Sequence, residues 1–142
     1  AASGSLDLGE QMSWLFQGAN RQAMEILQDM AGNYAKEISL NSLAEKYHFS
    51  AGYLSRMIKK ETGYSFSTIL NSIRLTAAVK LLNQDNAKIH FICDLTGFSD
   101  QRYFSQVFKK TFGCSPGEFR RQGKEKRHYT IKRILEMTED RQ

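Results

Sequence analysis

Proline occurs once in the 142 residues, at Pro116, and glycine ten times, so few positions interrupt a helix. Helix is therefore expected to dominate. No apolar run approaches the roughly 20 residues needed to span a bilayer, and the opening Ala1-Ala2-Ser3-Gly4-Ser5 lacks the charged and apolar regions of a signal peptide. The chain reads as soluble and cytosolic. It also lacks an initiating Met, and its small-residue opening reads as a cloning scar or as the start of a piece cut from a longer protein. Cysteine is scarce as well. Cys93 and Cys114 match no metal-ligand spacing, and their apolar neighbours make each a small core residue in reduced form. No nucleophile-base-acid arrangement, phosphate-cradling glycine loop or metal cluster is visible, and His90 and His128 have no partners at ligand spacing. An enzyme is not expected, nor is a cofactor or a metal.

What the chain does have is hydrophobic content enough for one real core, 41% of residues, and an uneven distribution of charge. The net charge is +5, yet the stretch from Lys36 to Arg133 holds 18 Lys and Arg against eight Asp and Glu, while both ends are acidic. The basic centre is the candidate phosphate-binding face. A charge excess alone also describes a solvated helical surface, so it needs an ordered motif beside it.

An internal repeat supplies that motif. At an offset of 50, Tyr53 to Ser65 (YLSRMIKKETGYS) aligns with Tyr103 to Ser115 (YFSQVFKKTFGCS), six of the thirteen positions being identical. Upstream, at an offset of 49, LAEKYHFS (Leu43 to Ser50) aligns with ICDLTGFS (Ile92 to Ser99), so the second copy carries one extra residue after its Ser. Each copy reads as helix, short turn, helix. The first helices carry apolar stripes, Leu40, Leu43, Ala44 and Tyr47 in copy one and Ile89, Ile92, Cys93 and Leu95 in copy two, which should face the core. Ala44 and Cys93 supply the small side chain that a close helix crossing needs. The turns need a left-handed residue, for which Gly97 is suited by its lack of Cβ and His48 by the enrichment of histidine there. Ser50 and Ser99 are the expected N-caps of the second helices, and Gly63 and Gly113 the left-handed C-terminal stops, each after a Lys-Lys pair.

These features together are the signature of a helix-turn-helix, in which the second helix lies across the major groove. Leu54, Met57 and Ile58, against Phe104, Val107 and Phe108, form the buried sides of the second helices. Their polar faces offer Ala51, Gly52, Ser55, Arg56 and Lys59 in copy one, and Gln101, Arg102, Gln106 and Lys109 in copy two, the donor types that base edges and phosphates require. Between the copies, Ser67 to Leu82 has the apolar stripe of a long helix, Ile69, Leu70, Ile73, Ala77, Ala78, Leu81 and Leu82. About 24 Å of rigid connector can hold two recognition helices roughly one duplex turn, about 34 Å, apart. Ser115-Pro116-Gly117-Glu118 announces a further short helix with a capping box, and Asn20 to Tyr34 one that closes the first lobe.

The stretch GFSDQRYFSQVFKKTFGCSPGEFRR (Gly97 to Arg121), with its apolar ladder Phe104, Val107, Phe108, Phe112 and Phe119, resembles the signature of AraC/XylS-type regulators. LNSLAEKYHFS and YLSRMIKKETG in the first copy extend the resemblance to about Ala31 to Arg121. It implies an all-α fold of two homeodomain-like helix-turn-helix units joined by a long linker helix, and sequence-specific binding of double-stranded DNA in adjacent major grooves with transcription activation. RNA polymerase is the implied partner, beside an effector-binding or receiver domain outside this chain; no membrane is involved. It further implies base contacts from Gly52, Ser55 and Arg56 in the first unit and Gln101, Arg102 and Gln106 in the second. Gly52 departs from that pattern, having no side chain to reach a base, which shifts the burden to Ser55 and Arg56. Lys59, Lys60, Lys109 and Lys110 are assigned to phosphates or solvent, and Tyr53 and Tyr103 to packing at the core edge.

The expected organisation is 1–19 linker or remnant, 20–66 first unit, 67–83 connecting helix, 84–123 second unit, and 124–142 an extension carrying an added helix with Ile131, Ile134, Leu135 and Met137 at helical spacing. Leu6 to Gly18, with Trp14, Leu15 and Phe16 in a row, is an interdomain linker remnant or a dimerisation segment. The competing reading is a helical protein-interaction module that docks on RNA polymerase or a sensor domain without reading DNA. Steep loss of affinity with salt, together with sequence selectivity, separates the two.

Overall fold

The computed structural model describes residues 7–84, 86–123 and 128–140, and these form helices without a strand among them. The first unit is built from α2 (Arg21–Asn33), α3 (Leu40–Lys46) and α4 (Ala51–Thr62), preceded by α1 (Leu8–Leu15). A central helix, α5 (Phe66–Gln84), leads to the second unit, α6 (Ile89–Leu95), α7 (Gln101–Phe112) and α8 (Pro116–Arg121), and α9 (Ile131–Asp140) follows.

Short polar side chains set the helix starts. Asn20 accepts from the Ala23 N–H, Ser39 and Ser42 form a reciprocal box, and Ser115 and Glu118 form the capping box read from the sequence, with Pro116 at the first helical position. The left-handed positions also fall where expected: His48 at φ 63°, Gly97 at 86°, Gly63 at 83° and Gly113 at 84°. Two expectations are corrected. The cap of α7 is Asp100, whose carboxylate accepts from the Tyr103 N–H at 2.7 Å, and not Ser99; the residue inserted after Ser99 moves the helix start one place on. Leu95 does not face the core but is 46% exposed, and Thr96, wholly buried, takes its place. The core-facing set is the half-buried Ile89 with the buried Ile92, Cys93 and Thr96, so Thr96 is the counterpart of Tyr47, and its hydroxyl donates to the Ile92 carbonyl at 2.8 Å, which removes the cost of burying it.

Two apolar cores result. The first gathers Met12, Ile26, Leu27, Met30, Leu54, Ile58, Ile69 and Ile73; the second gathers Leu75, Val79, Ile92, Phe98, Phe104, Phe108, Phe112 and Phe119. The rings of the second core meet edge-on or tilted at 4.5 to 5.8 Å from Phe98 through Phe104, Phe108 and Phe112 to Phe119. The cores change over on α5 between Ile73 and Leu75, and the buried side chains at the changeover are polar: Ser72, Arg74 and Thr76.

The segment expected as a linker or remnant contains α1, whose Leu8 and Met12 are part of the first core, while Trp14 points to solvent. The C-terminal extension contains α9, which spans both cores, Ile131 and Leu135 in the first and Ile134 in the second, beside Tyr129. With α9 on one side and both units on the others, α5 is buried around most of its girth from Ile69 to Val79, more than the stripe of the sequence reading. Gln11 accepts from the Ile131 N–H at 2.9 Å, and the Tyr64 hydroxyl is hydrogen-bonded to the Glu139 carboxylate, so α9 is held at both ends.

Candidate nucleic-acid interface

The two second helices present matched faces. In α4, Leu54, Met57 and Ile58 are buried, while Gly52, Ser55, Arg56 and Lys59 are exposed; Ala51 is half-buried against the first core and offers less than the others. In α7, Phe104 and Phe108 are buried, Val107 is half-buried, and Gln101, Arg102, Gln106 and Lys109 are exposed. Gln106 also lines a cleft with Asn71, Tyr103 and Lys110, between α7, α5 and α9.

Electrostatics leave these cations available. Among the described residues the ion pairs are Arg21 with Glu25 and Lys46 with Asp29, and neither involves Arg56, Lys59, Lys60, Arg102, Lys109 or Lys110. Lys46, by contrast, is committed: its ammonium lies 2.6 Å from Asp29 Oδ2, which also accepts from the Tyr47 hydroxyl at 2.7 Å. Burial alone would raise the Asp29 pKa, but hydrogen bonds from Lys46, Tyr47 and Asn33 outweigh it and hold the carboxyl below its ordinary value. The Tyr47 phenol is pushed up to about 12 by burial and by that bond to Asp29.

Gly52 acquires a role from its neighbour. A Cβ built on it would lie 3.3 Å from an Nη atom of Arg56, so the Arg56 guanidinium folds back across the bare glycine. The repeat pairs Gly52 with Arg102 and Arg56 with Gln106, meaning that each recognition helix carries one Arg, rooted one turn apart. Folding back over Gly52 brings the Arg56 guanidinium to the level at which Arg102 is rooted.

The tyrosines are held by packing, as expected. Tyr53 sits against Phe49 at 5.0 Å between ring centroids, and Tyr103 against Phe98 at 6.1 Å, with its hydroxyl accepting from Asn71 Nδ2 at 3.0 Å. That bond ties α7 to α5, and sequence reading missed it, since Asn71 lies outside both copies. Cys93 and Cys114 are free and buried, and burial pushes the Cys93 thiol up, which suits a core residue. Among the described residues no His, Cys, Asp and Glu cluster could hold a metal, and no helix is long and apolar enough to cross a membrane.

Comparison with known proteins agrees with this geometry. A family model described as a helix-turn-helix domain matches residues 43–122. The HTH-type transcriptional activator RhaS of Pectobacterium carotovorum subsp. carotovorum (strain PC1) is 34% identical over 106 residues, 74% of this chain and 38% of that protein. The chain thus spans about a third of the length of the curated relatives it matches. Among solved structures, the C-terminal domain of AraT, a response regulator from Geobacillus stearothermophilus, superposes with a TM-score of 0.63 at 32% identity, covering 88% of this chain and 92% of that one. The DNA-binding domain of AdpA, solved with a target DNA, shares the fold at a TM-score of 0.68 and 19% identity, over 74% of this chain and 95% of that one.

Proposed function

The chain belongs to the AraC-type family of helix-turn-helix transcription regulators, and on that premise we propose that it reads one asymmetric DNA site through α4 and α7, laid in successive major grooves. The observation that carries the reading is the duplication: two second helices, each with an exposed face of donors, and each with an Arg and a Lys pair that form no ion pair among the described residues. Arg56 and Arg102 are the guanine readers, Gln101 and Gln106 suit adenine, and Ser55 is a shorter donor. Lys59, Lys60, Lys109 and Lys110 lie late in their helices, where they serve phosphates and the helix C-termini. AdpA, a protein of the same fold, was solved with its DNA-binding domain on a target DNA, which supports the docking mode. The protein acts in the cytoplasm by binding rather than by catalysis, and it activates transcription as RhaS is named to do, a sensor or receiver domain supplying the signal.

A second activity, docking on RNA polymerase, is favoured by Phe91 and Leu95 on α6. Both are exposed, and their counterparts in the first copy are Ser42 and Lys46, so the fold itself does not demand apolar side chains there.

Selection of random duplex DNA tests the main reading. The enriched sequence is expected to have two unlike parts about 10 base pairs apart, centre to centre. Arg102→Ala then relaxes one base position by about 1 to 3 kcal/mol, while Lys109→Ala weakens all sequences alike and lowers the salt slope by about one. No enriched sequence, or equal effects of both changes on every duplex, would reject the reading.

A further inference from the structure

We propose that Arg74 is the positioning residue that fixes the two helix-turn-helix units relative to each other, and so sets the half-site spacing that the protein accepts. Arg74 lies at the midpoint of α5, at the changeover between the two apolar cores, and is only 8% exposed. Its Nε donates to the Tyr34 carbonyl at 2.9 Å and its Nη2 to the Lys36 carbonyl at 3.1 Å, both in the turn that leads from α2 into α3. Its guanidinium also lies 5.9 Å from the centroid of Phe98, in the turn between α6 and α7. One side chain on the shared helix thus grips the entry to the first unit and the turn of the second.

The two turns also touch directly. A Cβ on Gly97 would collide with the Tyr34 carbonyl oxygen and crowd the Ala35 backbone. Left-handed φ does not explain glycine here, since His48 holds the same kind of conformation at the matching turn of the first unit, where it is exposed. What distinguishes Gly97 is the approach of the other unit. The acceptor that Gly97 abuts, Tyr34 O, is the one that Arg74 holds, so the contact and the clasp form a single joint.

A joint of this kind selects spacing because moving the second half-site by one base pair displaces it about 3.4 Å and rotates it about 35° around the duplex. A pair of units held rigidly cannot follow both changes. Hydrogen bonds from a planar, charged fork resist rotation, whereas two apolar surfaces would slide. The α9 helix bridges the cores on another side of α5, so loss of the clasp frees the units without separating them.

The inference rests on the DNA reading proposed above, and its test has an arm that needs no DNA. Spin labels at Lys60→Cys and Lys110→Cys, in a Cys93→Ala, Cys114→Ala background, report the distance distribution between α4 and α7. The distribution is expected to be narrow in the parent and clearly broader in Arg74→Met, with Arg74→Lys in between. On duplexes with one base pair added to or removed from the selected spacing, the parent is expected to lose about 100-fold in affinity and Arg74→Met about tenfold or less. Gly97→Ala disturbs the same joint without touching the buried cation, and is expected to broaden both profiles if Arg74→Met folds poorly. A distribution as narrow in both variants as in the parent would overturn the clasp. A parent indifferent to spacing overturns its role in site selection and, with it, the two-groove reading, while the distance arm still decides whether the joint exists.

Discussion

Exchanging the residues at the two matched turns separates backbone conformation from packing. Gly97→His places in the second unit the residue type that the first unit uses at the same left-handed position. If φ were the only demand, the cost would be about 1 kcal/mol, the penalty of a left-handed conformation for a residue with a Cβ. The joint adds to this. Room for the new Cβ requires Tyr34 O to retreat, and that oxygen accepts from Arg74 Nε at 2.9 Å. A hydrogen bond to a charged group contributes about 1.5 to 3 kcal/mol, so the total loss is expected to be about 2.5 to 4 kcal/mol. His48→Gly is the control. His48 is exposed, and relief of its φ is offset by the greater freedom of glycine in the unfolded chain, so stability should stay within about 0.5 kcal/mol of the parent. Urea unfolding with linear extrapolation measures both. A loss near 1 kcal/mol for Gly97→His would refute the argument that the close approach of the two units dictates glycine.

Gly52→Ala is expected to stabilise the protein by about 0.5 to 1 kcal/mol, through lower chain entropy in an exposed helical turn, because the flexible Arg56 tip can give way to the new methyl. Binding to the selected duplex should fall several-fold at the same time; a mutant that is both less stable and unchanged on DNA would contradict the account of Arg56. At high pH the Tyr47 and Tyr64 phenols, both pushed up to about 12, the first by burial and its bond to Asp29 and the second by burial and its bond to Glu139, favour the folded state below pH 10. Their unfolded counterparts ionise near 10, so this contribution is lost as pH rises from about 10 to about 12. Tyr47→Phe and Tyr64→Phe should each remove phenolate absorbance from the part of the titration near pH 12, and removal from the part near pH 10 would count against the assigned bonds.

The helix order, the caps and the matched faces were legible because they depend on local signals: a short polar residue before an apolar stripe, a glycine after it, and the same pattern fifty residues on. The cap at Asp100 was misread because one residue inserted after Ser99 takes the copies out of register, and Leu95 was misread within register, because a buried Thr96 disguises itself as polar until its hydroxyl is seen to bond Ile92. Arg74 stood in plain view as a cation inside an apolar run. Its meaning depends on Tyr34, Lys36 and Phe98, brought together only by tertiary packing. The packing of α1 and α9 was hidden for the same reason, because residues 8–15 and 131–140 complete a shared core that neither segment reveals alone.

That pairing of α1 with α9 also orders events in time. Gln11 and the Ile131 amide are joined across 120 residues, and Ile131 and Leu135 belong to the first core. On the ribosome the N-terminal unit emerges first, yet it must wait for these side chains, which leave the tunnel only after the second unit has been made. Both cores close only with α9, so the unit born first is the one that waits longest, and until then its apolar surface is exposed to whatever else the nascent chain meets.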